Sequence, residues 1–134
     1  MLAVGSWGRY VELRDGATLE LKQRLQGASA LITRAGWVPT RPGMSPLIYA
    51  SAADGGVRVW DAAGGRVLFD LDPFPSNDVT GCSMSADGRR LAATGAWGES
   101  VVWDLTRWDR WSDFTLRVTP WRWGSATAKA KATP

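Results

Sequence analysis

Ser85-Ala-Asp-Gly-Arg-Arg-Leu-Ala-Ala-Thr94, followed after a small turn by Val101-Val-Trp-Asp104, decides how this chain folds. Asp87-Gly88 can take the positive φ angles of a tight hairpin, so the β-prone runs on either side of it, residues 79–85 and 90–94, should pair antiparallel. The run ending at Trp103 is rich in β-branched and aromatic residues, as a pleated surface prefers. The order is therefore strand, hairpin, strand, loop, strand.

Outward from this stretch the chain repeats itself. Val57-Arg-Val-Trp60-Asp61 is echoed by Ser100-Val-Val-Trp103-Asp104, with the two aspartates 43 residues apart. A more degraded copy lies upstream. Leu2-Ala-Val-Gly-Ser-Trp7-Gly parallels Leu91-Ala-Ala-Thr-Gly-Ala-Trp97-Gly, and Asp15 stands 46 residues before Asp61 with Arg14 where the tryptophan would be. Between the strand runs, Asp54-Gly55-Gly56 and Gly64-Gly65 are turn-forming. A fixed period of this length marks a repeat architecture, in which each unit buries its faces only by stacking on a neighbour.

The 85–94 and 101–104 segments together resemble a WD40 repeat, clearly over residues 47–105 and more loosely over 1–118. The resemblance implies an all-β fold, a partial β-propeller of antiparallel four-stranded WD40-like blades, acting as a scaffold for partner proteins. On this template residues 1–123 hold an incomplete first blade (1–27), a second (28–72), a third (77–118) and a Trp-rich end, and 124–134 form a disordered tail. Strands are expected at 2–6, 9–13 and 18–25; at 30–34, 46–51, 56–60 and 66–71; and at 79–85, 90–94, 100–103 and 113–118. A long proline-bearing loop should span 37–45. The residues that carry the repeat are Asp15, Trp60, Asp61, Asp87, Gly88, Trp103 and Asp104. Blades of this family often tie a Gly-His histidine to Asp, Ser or Thr and Trp. With no histidine that network cannot form, and stability should come from apolar burial.

Composition excludes most chemistry. The absence of His removes Ser-His-Asp, Cys-His and His-metal arrangements, and Cys82 alone can form neither an intrachain disulfide nor a CxxC motif. The glycines do not match a phosphate-binding loop. Asp54, Asp61, Asp87 and Asp104 recur at turns or strand ends, where aspartate accepts local backbone hydrogen bonds. The chain is accordingly expected to be non-enzymatic, with no catalytic residue, cofactor or metal. No apolar run is long enough to span a membrane, and a cytoplasmic protein is the expectation. Net charge is +3, but Arg and Asp interleave throughout, which disfavours nucleic acid as a partner.

Nine tryptophans are the remaining signal. Trp108, Trp111, Trp121 and Trp123, interleaved with Arg107, Arg110 and Arg122, either pack on the face of the last blade or form an interaction surface. An arc of about three blades cannot close a ring, and its end faces would be apolar. Self-assembly into a homo-oligomer, or blades missing from this sequence, would then complete the propeller; a non-functional fragment is the third possibility. The partner expected is a protein of unknown identity. The alternative is a sugar-binding module that stacks Trp7, Trp37 and Trp97, placed at loop positions, on its ligand.

Overall fold

The computed structural model describes residues 1–5, 7–39, 42–43, 45–73, 78–104, 117–121 and 129–132, giving the backbone course alone at 104, 117–121 and 129–132. These residues form twelve strands: β1 (Leu2–Gly5), β2 (Val11–Arg14), β3 (Leu21–Leu25), β4 (Ile32–Trp37), β5 (Leu47–Ala52), β6 (Val57–Asp61), β7 (Val67–Asp72), β8 (Val79–Met84), β9 (Arg90–Gly95), β10 (Ser100–Asp104), β11 (Arg117–Trp121) and β12 (Lys129–Ala132). They make three antiparallel sheets. Blade 1 has the order β1-β2-β3, blade 2 the order β4-β5-β6-β7-β12, and blade 3 the order β8-β9-β10-β11.

Pairing registers put the repeats in exact correspondence without recourse to sequence alignment. Ile48 lies opposite Trp60, as Leu91 lies opposite Trp103 and Leu2 opposite Arg14. The turns match as well. Asp15 Oδ1 accepts from the N–H groups of Ala17 and Thr18, and Leu19 N–H bonds back to Asp15 O. Asp61 does the same with Ala63 N–H and Gly65 N–H. Both turns end on a left-handed residue, Gly65 at φ 71° and Leu19 at φ 62°. Only glycine occupies that region without strain. Leu19 is 56% exposed and has little packing to lose. Leu19→Gly is therefore expected to stabilise the protein by about 1 kcal/mol, read as a rise in urea midpoint.

Two apolar layers hold the blades together. Between blades 1 and 2 lie Val11, Leu13, Leu25, Ile32, Ile48, Ala50 and Trp60. Between blades 2 and 3 lie Leu47, Val57, Val59, Phe69, Leu71, Val79, Leu91, Val101 and Trp103. Strand periodicity makes this possible, because alternate residues of β5 and β6 face opposite neighbours and blade 2 is apolar on both sides. At Gly5 the sheets of blades 1 and 2 come so close that a Cβ would stand 2.8 Å from Ile32 Cγ2.

Four expectations differ from what is observed. Trp37 is not in a loop; it closes β4, paired with Ile48. The outermost strand of blade 3, Arg117–Trp121, runs three residues beyond the expected end at 118, and 113–116 lie outside the described residues. Within the 124–134 tail, Lys129–Ala132 pairs with the outer edge of β7. That register sets Lys129 opposite Asp72 and Lys131 opposite Asp70, in a segment that composition alone marks as disordered. The end faces of the arc mix charged and polar side chains with apolar ones, Leu2, Val4 and Leu21 being exposed on blade 1, where uniformly apolar surfaces are expected of an open propeller. Blade 1 turns Glu12, Arg14 and Arg24 outward, and blade 3 turns Thr80, Ser83, Arg90 and Thr94 outward, with Thr80 Oγ1 donating to Thr94 O at 3.1 Å.

Candidate functional site: the rim of the β1–β2, β5–β6 and β9–β10 turns

Equivalent strands of stacked blades run the same way, so the turns after β1, β5 and β9 share one rim. The backbones of the second and third follow one pattern. Ala53 N–H donates to Leu31 O, just before β4, and Ala96 N–H donates to Asp78 O, just before β8; Gly55 and Gly98 bond back to Ala52 O and Gly95 O. This matches Asp54 in blade 2 with Trp97 in blade 3; in blade 1 the pairing of Gly5 with Val11 puts Gly8 at that position and Trp7 one residue before it.

In blade 2 the position is a latch. Asp54 Oδ2 accepts from both the N–H and the hydroxyl of Ser29, at 2.8 and 2.9 Å, and Oδ1 accepts from Gly56 N–H at 2.9 Å. Arg58 Nη1 lies 3.0 Å from Oδ2, while its Nε is 3.3 Å from Asp70 Oδ1. Burial works to raise the Asp54 pKa. Arg58 and the N–H groups of Ser29 and Gly56 overcome it and hold the carboxyl down at about 2. The missing histidine therefore does not leave this blade to apolar burial alone: Ser29 and Arg58 build a polar tie in its place, which sequence inspection missed because they lie 25 and four residues from Asp54.

In blades 1 and 3 the corresponding turn presents an indole to solvent. Trp7 is 90% exposed and Trp97 81% exposed, whereas Trp60 and Trp103 are 1% and 0%. A tryptophan that packs nothing contributes little to folding, so two of them at equivalent turns of one rim have the makings of contact residues. Trp37 belongs elsewhere. It lines, with Met1, Val38, Pro39, Pro46, Ala62 and Ala63, an apolar cleft of about 590 Å³ on the opposite rim.

The repeat residues take structural positions. Asp15 and Asp61 organise turns, and Asp87 Oδ1 accepts from Arg89 N–H at 3.0 Å and from the Ser85 hydroxyl, with Gly88 N–H on Ser85 O. Trp60 Nε1 donates to Gln26 O at 2.7 Å; among the described residues Trp103 Nε1 has no acceptor. Asp104 closes β10, opposite Arg90. Trp121 ends β11 opposite Ser100, and Trp108, Trp111 and Trp123 lie outside the described residues. Cys82 is buried, and that burial pushes its thiol up to about 11. Among the described residues no three His, Cys, Asp or Glu side chains converge as a metal site would need.

No family profile and no curated protein matches the chain. Among solved structures it is similar to the C-terminal WD40 domain of Sif2, with a TM-score of 0.71 and 21% identity over 87% of this chain. The chain spans 31% of the length of that structure. It has the WD40 propeller fold, as an arc of three blades.

Proposed function

We propose that this chain is a non-enzymatic protein-interaction scaffold that engages its partner through the rim bearing Trp7 and Trp97. The observation that carries this reading is the near-complete exposure of both indoles at equivalent turns. A propeller blade gives such turns a rigid base, and here Gly98 at φ 86° and the bond from Trp97 N–H to Glu99 Oε2 hold one of them. Burial of an exposed tryptophan at an interface recovers about 2–4 kcal/mol, so two make a binding hot spot without any change in fold. The fold supports the reading, since repeat propellers present broad surfaces built from turns.

The Trp7→Ala/Trp97→Ala double variant is expected to melt within about 2 °C of the unaltered protein, because neither ring packs, and to bind its partner at least about 100-fold more weakly. Proteins retained from cell extract by the unaltered chain, and then titrated singly against both forms, give the comparison. Equal binding by the two forms would remove the rim from the interaction. The same two exposed rings favour a second reading, stacking on sugar faces. An oligosaccharide array bound by the unaltered chain and not by the double variant would establish it in preference to a protein partner.

A further inference from the structure

We infer that the two end faces of the arc are built as caps, and are not junctions through which copies of this chain close a ring. Register provides the argument. Counting from the paired tryptophans, Leu47, Tyr49, Ser51, Val57 and Val59 of blade 2 correspond to Arg90, Ala92, Thr94, Ser100 and Val102 of blade 3. In blade 2 the first set makes the layer against blade 3, where Leu47, Val57 and Val59 are buried and Tyr49 packs on them. In blade 3 the second set faces away from blade 2. Its two largest apolar members have become arginine and alanine and one valine has become serine, while Arg90 and Thr94 are exposed.

The opposite end has undergone the complementary change. Trp60 and Trp103 face the blade before their own and are sealed there. In blade 1 their counterpart is Arg14, and Glu12 stands at the position of Arg58 and Val101. Arg14 Nη2 is 2.6 Å from Glu12 Oε2, Arg24 Nε is 3.3 Å from Glu12 Oε1, and the Arg24 guanidinium lies 4.7 Å above the Tyr10 ring. Leu2, Val4 and Leu21 share this face, each between 39 and 45% exposed.

Both losses of apolar character fall where a blade–blade layer would form, and on the outward side of each end blade only. Stacked repeats need this pattern at their ends, a polar outer face over an apolar inner one. A ring closed by a second copy would have to strip water from Glu12 and both arginines against Arg90, Thr94 and Ser100, with only Ala92 and Val102 of that set to return apolar contact.

Sedimentation of the whole chain tests the inference. A monomer is expected at high micromolar concentration. Restoring the blade 2 residues to blade 3 (Arg90→Leu, Ala92→Tyr and Ser100→Val together) should at least double the sedimenting mass, whether as a defined oligomer or as aggregate; a variant that stays monomeric overturns the assignment. If the unaltered chain proves to be a dimer, trimer or aggregate, Ala92→Glu and Arg14→Glu decide. Dissociation by either shows that an end face is the junction and overturns the inference, while persistence through both places the contact elsewhere and upholds it.

Discussion

Replacing Trp60 with alanine is expected to cost about 4–5 kcal/mol, enough to leave much of the protein unfolded, given the total stability of about 5–15 kcal/mol usual for single domains. The ring is 1% exposed in the layer between blades 1 and 2, and its Nε1 donates at 2.7 Å to Gln26 O, in the segment that leads from β3 to blade 2. It therefore ties the two blades by packing and by a hydrogen bond. A finer comparison separates the two contributions. Trp60→Phe and Trp103→Phe delete similar volume from fully buried sites, but only the first breaks a hydrogen bond. The second removes an indole N–H that has no acceptor among the described residues. A buried donor without a partner carries a desolvation cost, so its removal offsets part of the cavity term. Trp60→Phe should be the more damaging by about 1–3 kcal/mol in urea unfolding. Equal costs would mean that Gln26 O contributes nothing to the joint.

Much of this architecture could be read from local chemistry. Asp-Gly and Gly-Gly turns and period-two runs around Trp60 and Trp103 placed the strands of blades 2 and 3 to within a few residues, because hairpins are decided by neighbours in sequence. What could not be read depends on partners distant in the chain. Ser29 and Arg58 reach Asp54 from a linker and from the next strand, and no motif announces that they meet. Lys129–Ala132 has the composition of a tail until a register with Asp70 and Asp72 gives it an edge to join. The polarity of the end faces is visible only once pairing fixes which residues of β5 and β9 correspond. For Trp7 and Trp97, sequence supplied the repeat and the turn, but a buried anchor and an exposed contact residue look alike until accessibility is known. Trp37 shows the opposite error, a loop assigned on nearby prolines where β4 continues.

Asp54→Ala is expected to cost about 2–4 kcal/mol at pH 7, more than an exposed turn residue would suggest. The change leaves the N–H groups of Ser29 and Gly56 without their acceptor, and leaves Arg58, whose side chain is 11% exposed, with the longer Asp70 contact alone among the described residues. Asp54→Asn keeps an acceptor but removes the charge, and so isolates the ionic part through its pH dependence. The folded carboxyl lies at about 2, below its ordinary value of 3.8. Ionised Asp54 therefore stabilises the fold above about pH 4, and that contribution is lost as pH falls from about 4 to about 2, amounting to about 1 kcal/mol once solvent screening is allowed for. Glu12, Asp15 and Asp87 are also held below their ordinary values, Glu12 by the Arg14 hydrogen bond and Asp15 and Asp87 by turn hydrogen bonds, so both proteins weaken in acid. The informative quantity is the gap between them. It should narrow by about 1 kcal/mol from pH 5 to pH 2. A gap that stays constant would place the role of Asp54 in turn geometry alone, with Arg58 held by packing and Asp70.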